Sequence, residues 1–301
     1  MKHALLAEGT RQFKGHDALV YSLAFSPDGK TLATAGFDNA VKLWDFAAGK
    51  EIRTLNGHTG PVYCVAFSKD GKLLASSSLD KTIRLWNPAD GKMLRELKGH
   101  GDIVDSIAFS PDGKLLASGS ADKSVRLWNP ADGKEIKNLG SHGNHVYGIA
   151  FSPDGKRLAS GGADMLIKIW DVDAKKESKT LKGPTAAVTG VAFSADGNNL
   201  LSIGQDRLLR VWDVKASTET KKLGPTPDDL YGIAFSRDGK ALATSGYAGY
   251  ITLWDLAAGK AILSRKLKAF GAYCIAFTPD GKSVVTGHDD HTCYVHPLAA
   301  P

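Results

Sequence analysis

Histidine, serine or threonine, and aspartate recur together four times in this chain, and each time a tryptophan follows. The sets are His16, Thr34, Asp38 and Trp44; His58, Ser76, Asp80 and Trp86; His100, Ser118, Asp122 and Trp128; and His142, Ser160, Asp164 and Trp170. A hydroxyl, an imidazole and a carboxylate are the ingredients of nucleophilic acyl transfer, in which the imidazole takes the hydroxyl proton. One set would be a candidate active site. Copies at even spacing point instead to a structural part, and no catalytic residue is assigned. A second cluster, His288, Asp289, Asp290, His291 and His296, contains donor types that ligate metals. Consecutive strand positions point opposite ways, and Asp290 keeps the phase of the other turn aspartates, so no metal site and no cofactor is assigned.

The elements that must carry these residues follow from the spacing. All six tryptophans, Trp44, Trp86, Trp128, Trp170, Trp212 and Trp254, stand 42 residues apart, and the next step lands on His296. Phe25, Phe67, Phe109, Phe151, Phe193, Phe235 and Phe277 keep the same step, as do the Asp-Gly pairs that begin at Asp28, Asp70, Asp112, Asp154, Asp196, Asp238 and Asp280. A period of this length marks a repeat architecture. Within the third unit, residues 99–139, short β-prone runs alternate with tight turns such as Pro111-Asp112-Gly113-Lys114, and no window shows a helical stripe. Each unit reads as a four-stranded antiparallel meander. Along the first strand the positions of Ser106 and Ala108 are small in every unit, and those of Ile107 and Phe109 are large. One sheet's large face can therefore fill the next sheet's small face, and such sheets close around an axis.

Gly15-His16 with Trp44-Asp45, Gly57-His58 with Trp86-Asn87, and Gly99-His100 with Trp128-Asn129 resemble the signatures of the WD-repeat β-propellers. The resemblance covers about the whole chain. It implies an all-β, seven-bladed propeller, with blades near 15–56, 57–98, 99–140, 141–182, 183–224, 225–267 and 268–298. The N-terminal segment 9–13, one period before the fourth strand of the first unit, is expected to complete the last blade. The resemblance also implies that each of the four sets is a buried hydrogen-bonded tetrad. The close similarity of the second and third units resembles bacterial members more than heavily decorated eukaryotic ones.

The later units depart from the pattern. The fifth has Pro184 in place of the histidine. The sixth has Thr226 there and Ala248 in place of the turn aspartate. The seventh has Thr286 and Asp290, no histidine at the expected place, and His296 for the tryptophan. Drift after duplication competes with specialisation of this sector; drift is the reading adopted, and the sector 184–296 is expected to open first.

Composition narrows the functional classes. The net charge of +6 is interleaved, because the turn lysines Lys30, Lys72, Lys114, Lys156, Lys240 and Lys282 each follow an aspartate. With every tryptophan assigned to a blade, nucleic-acid binding is not expected. No long apolar run is present, so no membrane span is expected. The N-terminal apolar run is too short for a signal peptide. The expected setting is cytoplasmic, with export of a longer precursor left open, and the expected state is a monomer. Cys64, Cys274 and Cys293 form an odd set and read as packed free thiols.

One phase exceeds what packing requires. The position of Asp105 reads Tyr21, Tyr63, Asp105, Tyr147, Thr189, Tyr231 and Tyr273. By the resemblance it lies at the top mouth of the channel, beside Phe37 and Tyr247. Tyrosine suits a contact surface but is also a good rim residue of a sheet. The sequence thus supports a non-enzymatic platform for a protein or peptide partner. The alternatives are a structural module of a larger protein and an enzyme with its site at the channel mouth.

Overall fold

The computed structural model describes residues 11–236, 238–239, 241–267 and 271–298. Its strands form seven four-stranded antiparallel sheets. Blade 1 consists of Val20–Phe25, Thr31–Gly36, Val41–Asp45 and Lys50–Leu55, counted from the axis outward. Blades 2 to 7 begin with Val62–Phe67, Val104–Phe109, Val146–Phe151, Val188–Phe193, Leu230–Phe235 and Ala272–Phe277. These inner strands pack on one another in ring order, and the last packs on the first. Blade 7 borrows its outer strand: Arg11–Lys14 pairs antiparallel with Thr292–Pro297. The expected closing strand is therefore present, described from Arg11 to Lys14; Gly9 and Thr10 lie outside the described residues.

The turn between first and second strands shows how little sequence a blade needs. In blade 1 the Ser26 hydroxyl donates to Asp28 Oδ1 at 2.6 Å, and Asp28 Oδ1 also accepts the Lys30 N–H at 3.0 Å. Gly29 sits at φ +73°, which glycine adopts without penalty. Serine or threonine makes the same bond to the aspartate in all seven copies.

The core is a set of inter-blade layers. In one of them Ala33, Val41, Leu43 and Leu55 of blade 1 meet Val62, Val65, Leu74 and Trp86 of blade 2. Each tryptophan thus fills the small, apolar face of the blade before it, as the alternation of small and large residues predicts. The small positions have a steric cause: a Cβ at Gly148 would stand 3.0 Å from Gly190 Cα of the next inner strand. Free energy therefore comes from the ring rather than from single sheets, which are too small to persist alone.

The closure repeats this layer with substitutes. Phe13, 2% exposed, stands where Leu55, Leu97 and Leu181 stand in other blades, and packs edge-on to Trp44 at 5.6 Å. Arg11 donates to the Ala47 carbonyl at 2.9 Å, as Arg53 does to Ala89 one period later. The terminal segment makes the same reach into blade 1 that other outer strands make into their neighbours.

Phe13→Ala removes the plug of the closing layer and should cost about 3–5 kcal/mol, the usual range for a buried Phe→Ala change. Denaturant melts measure it. A loss below about 1 kcal/mol, the scale of a surface change, would mean that the segment does not carry the closure.

Candidate functional site

The four complete sets are hydrogen-bonded tetrads. In blade 1, Trp44 Nε1 donates to Thr34 Oγ1 at 2.9 Å, Thr34 Oγ1 lies 2.7 Å from His16 Nε2, and His16 Nδ1 lies 2.8 Å from Asp38 Oδ2. Asp38 also accepts the N–H groups of Asp17 and Ala40. A neutral imidazole protonated on Nδ1 gives every proton in the line an acceptor. Trp86, Ser76, His58 and Asp80 repeat the line in blade 2, Trp128, Ser118, His100 and Asp122 in blade 3, and Trp170, Ser160, His142 and Asp164 in blade 4. Burial lowers the basicity of His142, in keeping with a neutral ring. The donated bonds hold Asp38, Asp80, Asp122 and Asp164 below the usual carboxylate range despite burial. Each hydroxyl is fully buried and accepts the indole N–H of its own blade, so a substrate has no access to it.

The divergent blades keep the hydroxyl and replace its neighbours. In blade 5, Trp212 still donates to Ser202 at 2.9 Å. With the histidine gone, Arg210 turns inward, 2% exposed, and pairs with Asp206 at 2.7 Å and Glu219 at 3.0 Å. In blade 6, Trp254 donates to Thr244, and Asp228 from the preceding loop caps the turn by accepting the Ala248 N–H. A Cβ at Gly246 would meet Asp228 Oδ2 at 2.6 Å, as one at Gly162 would meet His142 and Asp164. Asp228 thus occupies the volume that histidine and aspartate fill elsewhere. In blade 7, Thr286 Oγ1 lies 2.6 Å from His288 Nε2 and 2.9 Å from His296 Nε2, while the Tyr294 hydroxyl donates to Asp290 at 2.5 Å. The sector thus lacks complete tetrads, as its sequence indicates, and holds substitute partners in their place.

The same bonds account for most of the suspected metal cluster: His288, Asp290 and His296 serve blade 7. Among the described residues no group of three or more His, Cys, Asp or Glu side chains is gathered as a metal site would require. The three cysteines are free thiols, and burial raises their pKa values.

The tyrosine phase has a backbone cause that the sequence did not disclose. In every blade the ladder between the first two strands slips at this one residue: Val20 and Ser22 pair with Gly36 and Ala35, and Tyr21 is left over. The slip recurs at Tyr63, Asp105, Tyr147, Thr189, Tyr231 and Tyr273. A β-bulge leaves one residue unpaired and re-aims its side chain. Here all seven line a cavity of about 430 Å³ at one mouth of the channel.

The expected contact residues meet there. Tyr21 stacks on Phe37 at 5.3 Å and on Tyr273 at 5.6 Å and meets Tyr63 edge-on at 5.1 Å. Tyr247, 59% exposed, stands beside Tyr231 and Tyr273. Burial pushes the hydroxyls of Tyr21, Tyr63 and Tyr147 up in pKa and that of Tyr273 to about 12, so they remain neutral. Gln205 donates to the Tyr231 hydroxyl at 3.0 Å. Thr189 departs from the series: its hydroxyl is spent on the carbonyls of Leu230 and Ile203. Leu79 and Met165, 41% and 44% exposed, lie on the loops of blades 2 and 4 that correspond to those carrying Phe37 and Tyr247 in blades 1 and 6. Met165 was missed; the signal was an apolar residue at φ +65° where Asn39, Lys81, Lys123 and Arg207 are polar. Asp105 is the one acid of the phase, and burial with the nearby Asp102 pushes its pKa to about 7.

Fold and mouth together define a propeller of the repeat class, and the comparisons agree. The family model for the WD domain, G-beta repeat, matches residues 8–45, 49–87, 91–129, 133–171, 175–213, 218–255 and 263–296. The chain belongs to the WD40 family. It is similar to ribosome assembly protein 4 of Saccharomyces cerevisiae, 55% identical over 40 residues, which are 13% of this chain and 8% of that protein. It is also similar to ribosome biogenesis protein erb1 of Botryotinia fuckeliana, 48% identical over 40 residues, 13% of this chain and 5% of that one. Each match spans about one repeat and a small part of the relative's length. Among the described residues no helix is long and apolar enough to cross a membrane.

Two outcomes follow. Asp122→Ala and Asp228→Ala should each cost about 1–3 kcal/mol, because both strand buried donors, and Ala248→Asp should destabilise by setting a second carboxylate against Asp228. If denaturant melts show Ala248→Asp to be stabilising, Asp228 does not fill the vacant place. Asp105 gives the opposite pH sign. Its raised pKa favours the protonated form in the fold, so that stability is present below the ordinary carboxylate range and is lost as pH rises to about 7. Asp105→Asn should therefore be more stable than the parent at pH 8, with the gain vanishing near pH 4. At about 1.4 kcal/mol per unit the ceiling is about 4 kcal/mol, reduced by residual solvation. A gain independent of pH would contradict this account.

Proposed function

We propose that the chain is a non-enzymatic interaction platform that docks a protein or peptide segment across the top mouth. The observation that carries this reading is the bulge in every inner strand, which directs Tyr21, Tyr63, Tyr147, Tyr231 and Tyr273 into one opening. Packing alone does not ask for large aromatic side chains there, since Thr189 and Asp105 fill the same place. Rigid aromatic rings with hydroxyl edges bury much area at little entropic cost and are enriched at binding hot spots. WD40 propellers generally bind proteins, and the printed names of the two relatives concern ribosome assembly and biogenesis. A place within a larger assembly suits this chain as well. The tetrad hydroxyls are buried out of reach of a substrate, which favours binding over catalysis.

Tyr63→Ala and Tyr147→Ala should each weaken capture of a partner by about 1 kcal/mol or more, roughly fivefold in Kd. Lys72→Ala and Lys156→Ala, exposed on the turns at the opposite mouth, should leave it unchanged. Calorimetric titration of a partner recovered by affinity capture measures both, with melting curves to confirm folding. Normal binding by the tyrosine variants and loss by the lysine variants would move the working face to the other mouth.

A further inference from the structure

The mouth contains one group whose chemistry the fold leaves incomplete. Asp105 Oδ2 is shut off from solvent and has no hydrogen-bond partner. No tetrad, turn or ladder uses it. The charged and titratable groups that act with it are Asp102 on the preceding loop, the hydroxyls of Tyr21, Tyr63 and Tyr147, and the Cys64 thiol. None of these is a cation. Elsewhere in the molecule buried carboxylates are satisfied: Asp206 by Arg210, Asp228 by a backbone N–H, and Asp122 by His100. A buried carboxylate without a partner is costly; the free protein meets that cost by favouring the protonated acid, and any counter-charge for the ionised form would come from outside the chain.

Resting on the docking reading above, we propose that Asp105 and the surrounding tyrosine rings form a subsite for the alkylammonium or guanidinium side chain of a bound segment, a lysine or arginine. The cavity of about 430 Å³ beside it is open to a long side chain. Tyr21, Tyr63 and Tyr147 present rings around the position, and aromatic faces attract an organic cation through their quadrupole. A hard metal ion would require several oxygen ligands, and a single carboxylate among neutral phenols does not provide them. The cation's charge also keeps Asp105 ionised, so that binding releases a proton below pH 7 and tightens as pH rises from 6 to 8.

The test uses three small probes: the N-acetyl methylamides of lysine, arginine and norleucine. Each is titrated into the folded chain carrying carbon-13-labelled tyrosine rings, and ring shifts are read by NMR. The lysine and arginine probes should move the Tyr63 and Tyr147 signals to saturation, with affinity at least tenfold above the neutral norleucine probe. Asp105→Asn should erase that tenfold preference. Equal binding of norleucine, absence of saturable shifts with either cation, or an unchanged preference in Asp105→Asn would overturn the proposal. If a captured partner depends on Tyr63 and Tyr147 but binds Asp105→Asn as tightly as the parent, the cation subsite fails and the docking face stands. If it depends on neither tyrosine, both fail.

Discussion

A buried hydroxyl on the second strand of each blade is the point on which the rest of the structure depends. Thr34, Ser76, Ser118, Ser160, Ser202, Thr244 and Thr286 are at most 1% exposed. In six blades the hydroxyl accepts an indole N–H, and in the seventh an imidazole takes the indole's place. The bond fixes the tryptophan ring at the one orientation in which its apolar edge fills the neighbouring blade. Packing between blades and hydrogen bonding within them are therefore set by the same side chain. A tryptophan buried without a partner for its N–H would oppose the burial that makes it useful.

From that hydroxyl the polar line runs outward to a turn carboxylate, and here the ring tolerates variety. Histidine and aspartate complete the line in blades 1 to 4, Arg210 serves Asp206 in blade 5, Asp228 replaces the missing turn aspartate in blade 6, and His288 and Tyr294 complete blade 7. The constraint is satisfaction of buried donors and acceptors, not the identity of the groups that achieve it. The departures in the last three blades are compatible with an unbroken ring because each loss is matched by a group from a neighbouring position.

The scaffold was legible because its determinants are local and repeated. The 42-residue step, the turn chemistry and the alternation of small and large residues along the first strand each follow from secondary-structure period and sterics. The substitutes were not legible. Arg210 holds the same strand position as Arg84 and Arg126, which remain partly exposed, and only the space left by Pro184 explains why it turns inward. Asp228 lies in a loop whose length gives no sign that its carboxylate reaches the next turn. The tyrosine phase was visible as a column of residues, but its cause is a bulge. A one-residue slip in pairing leaves no mark in composition, yet it turns a strand residue into a lining of the mouth. The scaffold is thus nearly uniform around the ring, while the mouth is not: rings crowd the side formed by blades 6, 7, 1 and 2, whereas Asp105, Tyr147, Thr189 and Gln205 mark blades 3 to 5.

The most direct test uses the six indole protons, one for each of blades 1 to 6, which report on the hydroxyl bond itself. Their hydrogen exchange can be followed by NMR in the native protein. If the bond to the buried hydroxyl holds every blade, all six indole protons should be protected to the level of the strand amides around them, with Trp212 and Trp254 no less so than Trp44. Replacing Ser202 by alanine should release the Trp212 proton first. Rapid exchange of any indole proton in the intact protein, or protection of Trp212 undiminished by loss of Ser202, would show that the blades are held by packing alone and would contradict the account.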